Sequence, residues 1–453
     1  MRQTLSLQFD RRLRGGCPNW KWALLCTAAV LAYASPAKAQ TTSNAYFPVG
    51  ISGYDQDLGV TVLSRIRSGY QEQGVQLGSF TVRPDLDQSI FDNTNVNGTS
   101  GSGGGSWGSD TAASISAGSD WDRNSLNASA GVDRTQFFAL PSESYTNWNV
   151  GLGGGYTIGD SELTASYSHS SYNQLGTTIG FQQSSIPALD TTDTGELSYS
   201  FNLGRFAVTP TLDLSAYRFG PITAGGTKIS QTNLNRNVIA GGVVTRYELT
   251  GAAGLLFVAR GTSSDYIDQQ PGQVSNNSSS VLFLAGLDYQ SEAIWRYSLL
   301  VGVESTHFTA SQYGTYTAPI VSADVVYTPT GVLTVTGSAT RSVQDTDTTG
   351  DSGFVLSQVN LILDYELLRN VLLEGRAGFQ NADYIQGSSQ NNETVGGGVT
   401  WLLNQNVRLS VNDDYTNQAS PGSNEGNFNN EGITGLSGAY TQNILLLSLH
   451  LGL

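Results

Sequence analysis

The chain has 453 residues, with 22 Lys and Arg against 37 Asp and Glu and a sequence pI near 4.5. A surface this acidic cannot supply the clustered positive charge that neutralises phosphates, so nucleic acid is excluded as a partner. The same acidity favours solubility and repels anions, without naming a fold.

The N-terminus comes first in chain order. Arg2, Arg11, Arg12, Arg14 and Lys21 precede an apolar run from Trp22 to Ala34, and Ala37-Lys38-Ala39 follows. A basic region, a short apolar core and a small-x-small site make residues 1–39 a secretory signal peptide cut after Ala39. The run is too short to span a bilayer, and no later stretch reaches the roughly 18 continuous apolar residues that a spanning helix needs. Leu25 precedes Cys26 where a lipoprotein signal wants a small residue, so lipidation is not expected. Both cysteines, Cys17 and Cys26, leave with the signal, which excludes disulfides, cysteine metal sites and cysteine nucleophiles together. Six basic residues and one acid leave as well, so the balance becomes 16 against 36, with Lys228 the one remaining lysine.

Residues 40–74 do not alternate convincingly. Arg65, Arg67 and glycines at 50, 53, 59, 69 and 74 suggest a loosely ordered periplasmic segment. Three readings stay open for it: an unordered tail, a plug for an enclosed space, or an arm that meets a partner.

From about Val75 onward, nearly every apolar run has period two. In Trp295 to Glu304 the odd positions are large and apolar, and the even ones are mostly polar or small. Such alternation means strands with one face in an apolar medium and the other in water. Short breaks centred near 122, 160, 204, 249, 292, 329, 369 and 404 recur every 35 to 45 residues or so. Longer polar stretches fall between them, at Asn93 to Gly105, Tyr172 to Asp190, Gly261 to Ser279, Ser342 to Asp351 and Asn417 to Asn430. Their Ser, Thr, Asn, Gly and Asp favour local turns over ladders. Eight tight turns join sixteen strands, and one more strand at each end, about 75–91 and 440–453, makes eighteen.

The hairpin at 361–379 shows what each face meets. Leu361, Leu363, Tyr365, Val371, Leu373, Gly375, Ala377 and Phe379 share one face, while Asn360, Asp364, Glu366, Glu374 and Arg376 share the other. Lipid outside and a wet lumen inside accounts for both. Trp107, Trp148, Tyr156, Trp295, Tyr327, Tyr365, Phe379, Trp401 and Tyr415 lie where interfacial girdles belong, with ordinary core packing as the alternative. Leu445, Leu447, Leu449, Leu451 and Leu453 finish the chain as one apolar stripe, where most such barrels end in Phe or Trp.

Residues that could carry chemistry are few. His169, His307 and His450 have no second histidine or acid at a ligand spacing, which points to structural roles rather than metal. A barrel hydrolase would need His169 or His307 beside a serine and an acid. Gly151-Leu152-Gly153-Gly154-Gly155 lacks the helix and the Gly-Lys of a phosphate loop, so its alternate glycines read as small lumen residues. Asp345 to Asp351 looks like the start of a calcium loop, but Leu356 stands where the closing Glu belongs, and an acidic turn is the simpler reading.

Gly74 to Pro84 followed by Phe91-Asp92-Asn93-Thr94-Asn95, then Ser119 to Asn127 and Tyr365 to Val371, resembles the putative beta-barrel porin 2 family of Gram-negative outer membranes. The resemblance covers about residues 65–453. It implies an outer-membrane location and a pore or export role, often associated with extracellular polysaccharide, and it supplies no catalytic residues. Pro84 is unusual for an interior ladder position and is tolerable near a rim.

The fold expected is all-β: a transmembrane antiparallel up-and-down barrel of about 18 strands over residues 75–453, with 16 as the alternative and a soluble solenoid or sandwich as the rival architecture. At that strand number the lumen admits water and small solutes. The charged side chains expected to line it are Asp133, Glu196, Asp213, Asp288, Arg296, Glu304, Asp324, Asp364, Glu366, Glu374, Arg376, Arg408 and Asp414. Their acidic excess favours mild cation preference or neutral sugars. The leading function is passive passage or export through the outer membrane, without enzyme activity or a cofactor. Its partners are outer-membrane lipid, the barrel-assembly machinery, and small solutes or extracellular polysaccharide. Two other functions stay open: a surface adhesion or receptor barrel specified by its long loops, and a lipid- or glycan-modifying enzyme.

Overall fold

A computed structural model describes residues 51–54, 59–100, 104–180, 184–224, 226–269, 272–290, 294–345, 352–385, 387–419, 422–423 and 438–453. The expected signal peptide, most of the acidic turn at 345–351 and the bulk of the 417–430 loop lie outside these residues.

Eighteen long strands alternate in direction and close on themselves. They are β1 (Phe80–Asn93), β2 (Ser106–Ser119), β3 (Ser125–Phe137), β4 (Tyr145–Ile158), β5 (Ser161–Gln174), β6 (Ala188–Leu203), β7 (Phe206–Arg218), β8 (Arg236–Glu248) and β9 (Ala253–Tyr266). The second half adds β10 (Ser278–Tyr289), β11 (Trp295–Phe308), β12 (Thr315–Thr330), β13 (Leu333–Asp345), β14 (Gly353–Leu368), β15 (Val371–Tyr384), β16 (Ser388–Leu402), β17 (Val407–Gln418) and β18 (Tyr440–Gly452). Each pairs with its neighbours in sequence, and β1 meets β18 from Asp85 opposite Gly452 to Asn93 opposite Ile444. Closure removes the open edge, whose unpaired backbone groups would cost several kcal/mol each in hydrocarbon.

All eight short breaks read from the sequence join consecutive strands on one rim, and the longer connections join them on the other. Three of those connections are shorter than expected, one of them because β13 runs on to Asp345. Strands β5 and β6 run on to Gln174 and resume at Ala188, and β9 and β10 run to Tyr266 and from Ser278. Ser, Thr and Asn at these ends keep their ladder bonds, because the neighbouring strand is still there to pair with. At the start of the barrel, Val75–Leu77 folds back on Phe80 to Val82 through a turn at Gly78, whose φ of +64° suits glycine, so β1 begins at Phe80. Pro84 sits one residue before the β1–β18 ladder, where no amide donor is required.

The outward face is apolar. Leu361, Leu363, Tyr365, Ala377 and Phe379 are exposed on the outer wall, as are all five leucines of the final stripe. Eight of the nine girdle aromatics are exposed and Tyr327 is half-buried, stacked on Trp295 with ring centroids 4.0 Å apart.

The inside is not uniform. Val244, Leu256, Val258, Leu284, Leu300 and Ile320 point inward from β8 to β12, and Val355 of β14, in the phase of the outward Val359 and Leu361, is buried with them in one apolar cluster. Ser264 on β9 donates to Asp345 on β13 at 2.8 Å. Strands four apart in a flat sheet stand roughly 19 Å apart at about 4.8 Å per strand, so the wall here is folded sharply onto itself. Between the strands brought together, at Gly286 on β10 and Gly302 on β11, a Cβ would stand 1.8 Å from the carbonyl oxygens of Leu299 and Phe283. Only glycine permits that approach.

Candidate functional site

With β8–β14 packed, the water-accessible inner surface lies elsewhere. On β2 to β6 the inward positions Ser114, Ser129, Asn149, Ser166, Ser168 and Glu196 are exposed. Gly131, Gly151 and Gly153 separate them, so the strip is smooth and hydroxyl-rich, with one exposed charge. The alternate glycines of 151–155 thus stand beside the open part of the interior.

Of the charged residues expected to line the lumen, only Glu196 is exposed. Asp133, Glu304, Asp324, Glu366, Glu374, Arg376, Arg408 and Asp414 are half-buried, and Asp213, Asp288, Arg296 and Asp364 are buried. Among the described residues, seven of the thirteen meet a charge of opposite sign. Arg246 donates to Asp288 at 2.7 Å, Arg260 lies 2.8 Å from Asp213, and Arg376 joins Glu374 to Asp414. Paired in this way, they hold the interior together rather than presenting rings of free charge.

At the long-loop end the interior is bridged. The connection after β5 sends Ile179 into a buried cluster with Tyr172, Tyr217 and Phe219 on one side and Phe354, Leu356 and Tyr384 on the other. Tyr440 on β18 donates its hydroxyl to the Thr177 carbonyl at 3.2 Å. Phe91, Phe137, Tyr145, Tyr172, Tyr217, Tyr266, Phe308, Phe354, Tyr384 and Tyr440 all turn inward near this rim and are buried. The sequence signal for this collar is an aromatic in the lumen phase at a loop end, a different phase from that of the outer girdle.

At the short-turn end, residues 59–74 follow the inner wall. Glu72 meets Arg408 on β17 and His450 on β18. Val62, with Leu63 and Tyr70, packs on Leu372 and Leu402, and its amide donates to Thr334 at 2.9 Å. Arg67 donates to Glu366 at 2.9 Å, and Arg65 approaches the same carboxylate at 3.5 Å. Farther along, Ile51 and Tyr54 reach the apolar cluster of β8–β14, and Ser52 donates to Asp213 at 2.8 Å. Burial, and then the Asp288 carboxylate, holds the Tyr54 phenol above its ordinary range.

The histidines are more engaged than their spacing indicated. His450 lies 2.8 Å from Asp87 and 3.0 Å from Glu72, with Asp85 at 3.7 Å. Glu72, Asp85 and His450 bring one donor each within 4.8 Å of one another, and Arg408 already pairs with Glu72. Barrel closure joins these groups, so no local motif announces them. His169 bonds Asp193 at 2.8 Å on the outer face, and His307 bonds Thr315 at 3.0 Å. The described hydrogen bonds of neither include a serine.

A closed barrel with an apolar outer belt and a partly wet interior is what the comparisons with known proteins address. A family model described as "Putative beta-barrel porin 2" matches residues 67–436. The chain belongs to that family. Porin 2 membership together with the outward apolar belt makes it an outer-membrane barrel. No curated protein matches this porin 2 chain at a significant level. Among solved structures it is similar to the outer membrane protein OpdK from Pseudomonas aeruginosa, at 13% identity and a TM-score of 0.44, covering 82% of this chain and 99% of that one. A BenF-like porin from Pseudomonas fluorescens Pf-5 gives 10% identity and a TM-score of 0.45, covering 83% and 100%. The FrpB iron transporter from Neisseria meningitidis gives 8% and 0.42, covering 82% and 81%. Similarity this distant transfers no activity to the porin 2 chain.

Proposed function

We propose that this barrel is a porin-like channel of the outer membrane for passive passage of small, mainly uncharged hydrophilic solutes. The observation that supports the reading is the exposed strip Ser114, Ser129, Asn149, Ser166, Ser168 and Glu196 along β2–β6, facing an interior whose other charges are largely paired. Hydroxyl and amide groups exchange hydrogen bonds with a hydrated solute without trapping it, whereas an unpaired ring of charge would select by sign. Glu196 gives the path mild cation preference. Residues 1–39 direct export, and the barrel-assembly machinery inserts the mature chain. Passage of extracellular polysaccharide, which the sequence resemblance implies, is a narrower version of this reading.

Planar-bilayer recording of the purified mature protein tests it. Conductance with a cation-leaning reversal potential is expected, and Glu196→Lys moves that potential toward anions. A correctly folded sample that conducts nothing removes the channel. In that case the bridge from Ile179 to Phe354 favours the second reading, a surface receptor whose specificity lies in its loops.

A further inference from the structure

We infer that residues 59–74 are a releasable inner sash that narrows the short-turn mouth of the channel, held by charge anchors on the barrel wall. The inference rests on the channel reading and names its control.

Four observations carry it. First, the sash follows consecutive strands, from β18 and β17 at Glu72 through β14 at Arg67 to β13 at Val62, so it covers the wall just inside the short turns. Thr334 points into the lumen at that level and is only 1% exposed, with the Val62 amide on its hydroxyl. Second, its attachment is mainly polar. Arg67 donates both to the Val62 carbonyl and to Glu366, which fixes the curve of the sash and its place on the wall with one guanidinium. Glu72 carries the second anchor, between Arg408 and His450.

Third, the apolar attachment of the sash is confined to one small cluster, in which Val62, Leu63 and Tyr70 meet Leu372 and Leu402. Val62 is buried, but Val60 and Ile66 are 67% and 73% exposed, turned away from the wall. A segment with few buried apolar contacts opens locally at a small fraction of the global unfolding free energy. Fourth, the root is clamped separately. The Gly74 amide donates to the terminal Leu453 carbonyl at 3.0 Å, and its φ of +72° gives the turn into Val75. The sash can therefore leave the wall while the barrel seam stays shut. Departure frees Glu366 from both arginines and so adds negative charge at the widened mouth.

The test uses the mature full-length chain, in which a cysteine at position 334 is the only thiol. Thr334→Cys is labelled with a water-soluble maleimide in three backgrounds: otherwise native, Arg67→Glu, and Arg67→Glu with Glu366→Arg. Breaking a buried pair is costly, so labelling is expected to rise about tenfold or more in Arg67→Glu and to fall back when the charges are exchanged. Heat-modifiable migration confirms that each barrel is folded, and Glu366→Gln stands in if Arg67→Glu does not fold. Channel conductance is expected to rise and fall with labelling. Equal labelling in all folded backgrounds overturns the sash. Labelling that responds while nothing conducts supports the sash and removes the channel reading instead.

Discussion

Arg376 serves two acids at once. Its guanidinium reaches Asp414 at 2.8 and 3.0 Å and also Glu374, which lies directly across the ladder from Asp364. Three carboxylates are therefore held close together around one cation. Arg376→Ala is expected to cost on the order of 2 kcal/mol, less than a fully dry ion pair because lumen water reaches the site. The readout is the denaturant midpoint of the detergent-solubilised barrel. Arg376→Lys recovers only part of the loss, since a point charge cannot reproduce the two-pronged contact. An unchanged midpoint for Arg376→Ala would mean that the cluster is electrostatically idle.

Strands are the next scale, and the close approach of β10 to β11 depends on two of their residues. A methyl group on Gly302 would meet the Phe283 carbonyl at 1.8 Å, and one on Gly286 would meet that of Leu299 at the same distance. Backbone cannot yield as a side-chain tip does, so Gly302→Ala is expected to lose the heat-modifiable form or to lower its melting temperature by about 10 °C or more. Gly337 on β13 has nothing within 4 Å of such a methyl. Gly337→Ala is accordingly neutral, or stabilising by about 0.4–1 kcal/mol. Parallel melting curves of the two variants decide the matter. Strand positions, the direction of each face and all eight short breaks were legible in the sequence, because period two and turn residues are local properties. The folded wall left a fainter trace. At Leu255 to Val258, Val281 to Leu284, Leu299 to Val301 and Phe354 to Leu356 the alternation fails, as it does in strands covered on both faces.

At the scale of the whole molecule, what could not be read was how distant segments use the space inside. Glu72 and His450 are 378 residues apart, and Ile179 meets Phe354 across the barrel. Neither contact has a spacing, and both exist only because the first strand finds the last. The acidic excess read from composition is a sum, and it does not show that Asp213, Asp288, Glu366, Glu374 and Asp414 each face an arginine. Glu196 was singled out with the others, and only its surroundings distinguish it.

One projection of the long-loop rim has a practical consequence. Ile222–Ala224 and Thr227–Ile229 form a small hairpin, and exposed Lys228 stands on it. No other lysine follows position 38. An amine-directed biotin ester too polar to enter cells should therefore mark this protein, on intact bacteria, at a single lysine, identified as one modified peptide by mass spectrometry of the purified chain. Modification only after the envelope is broken would turn the molecule upside down.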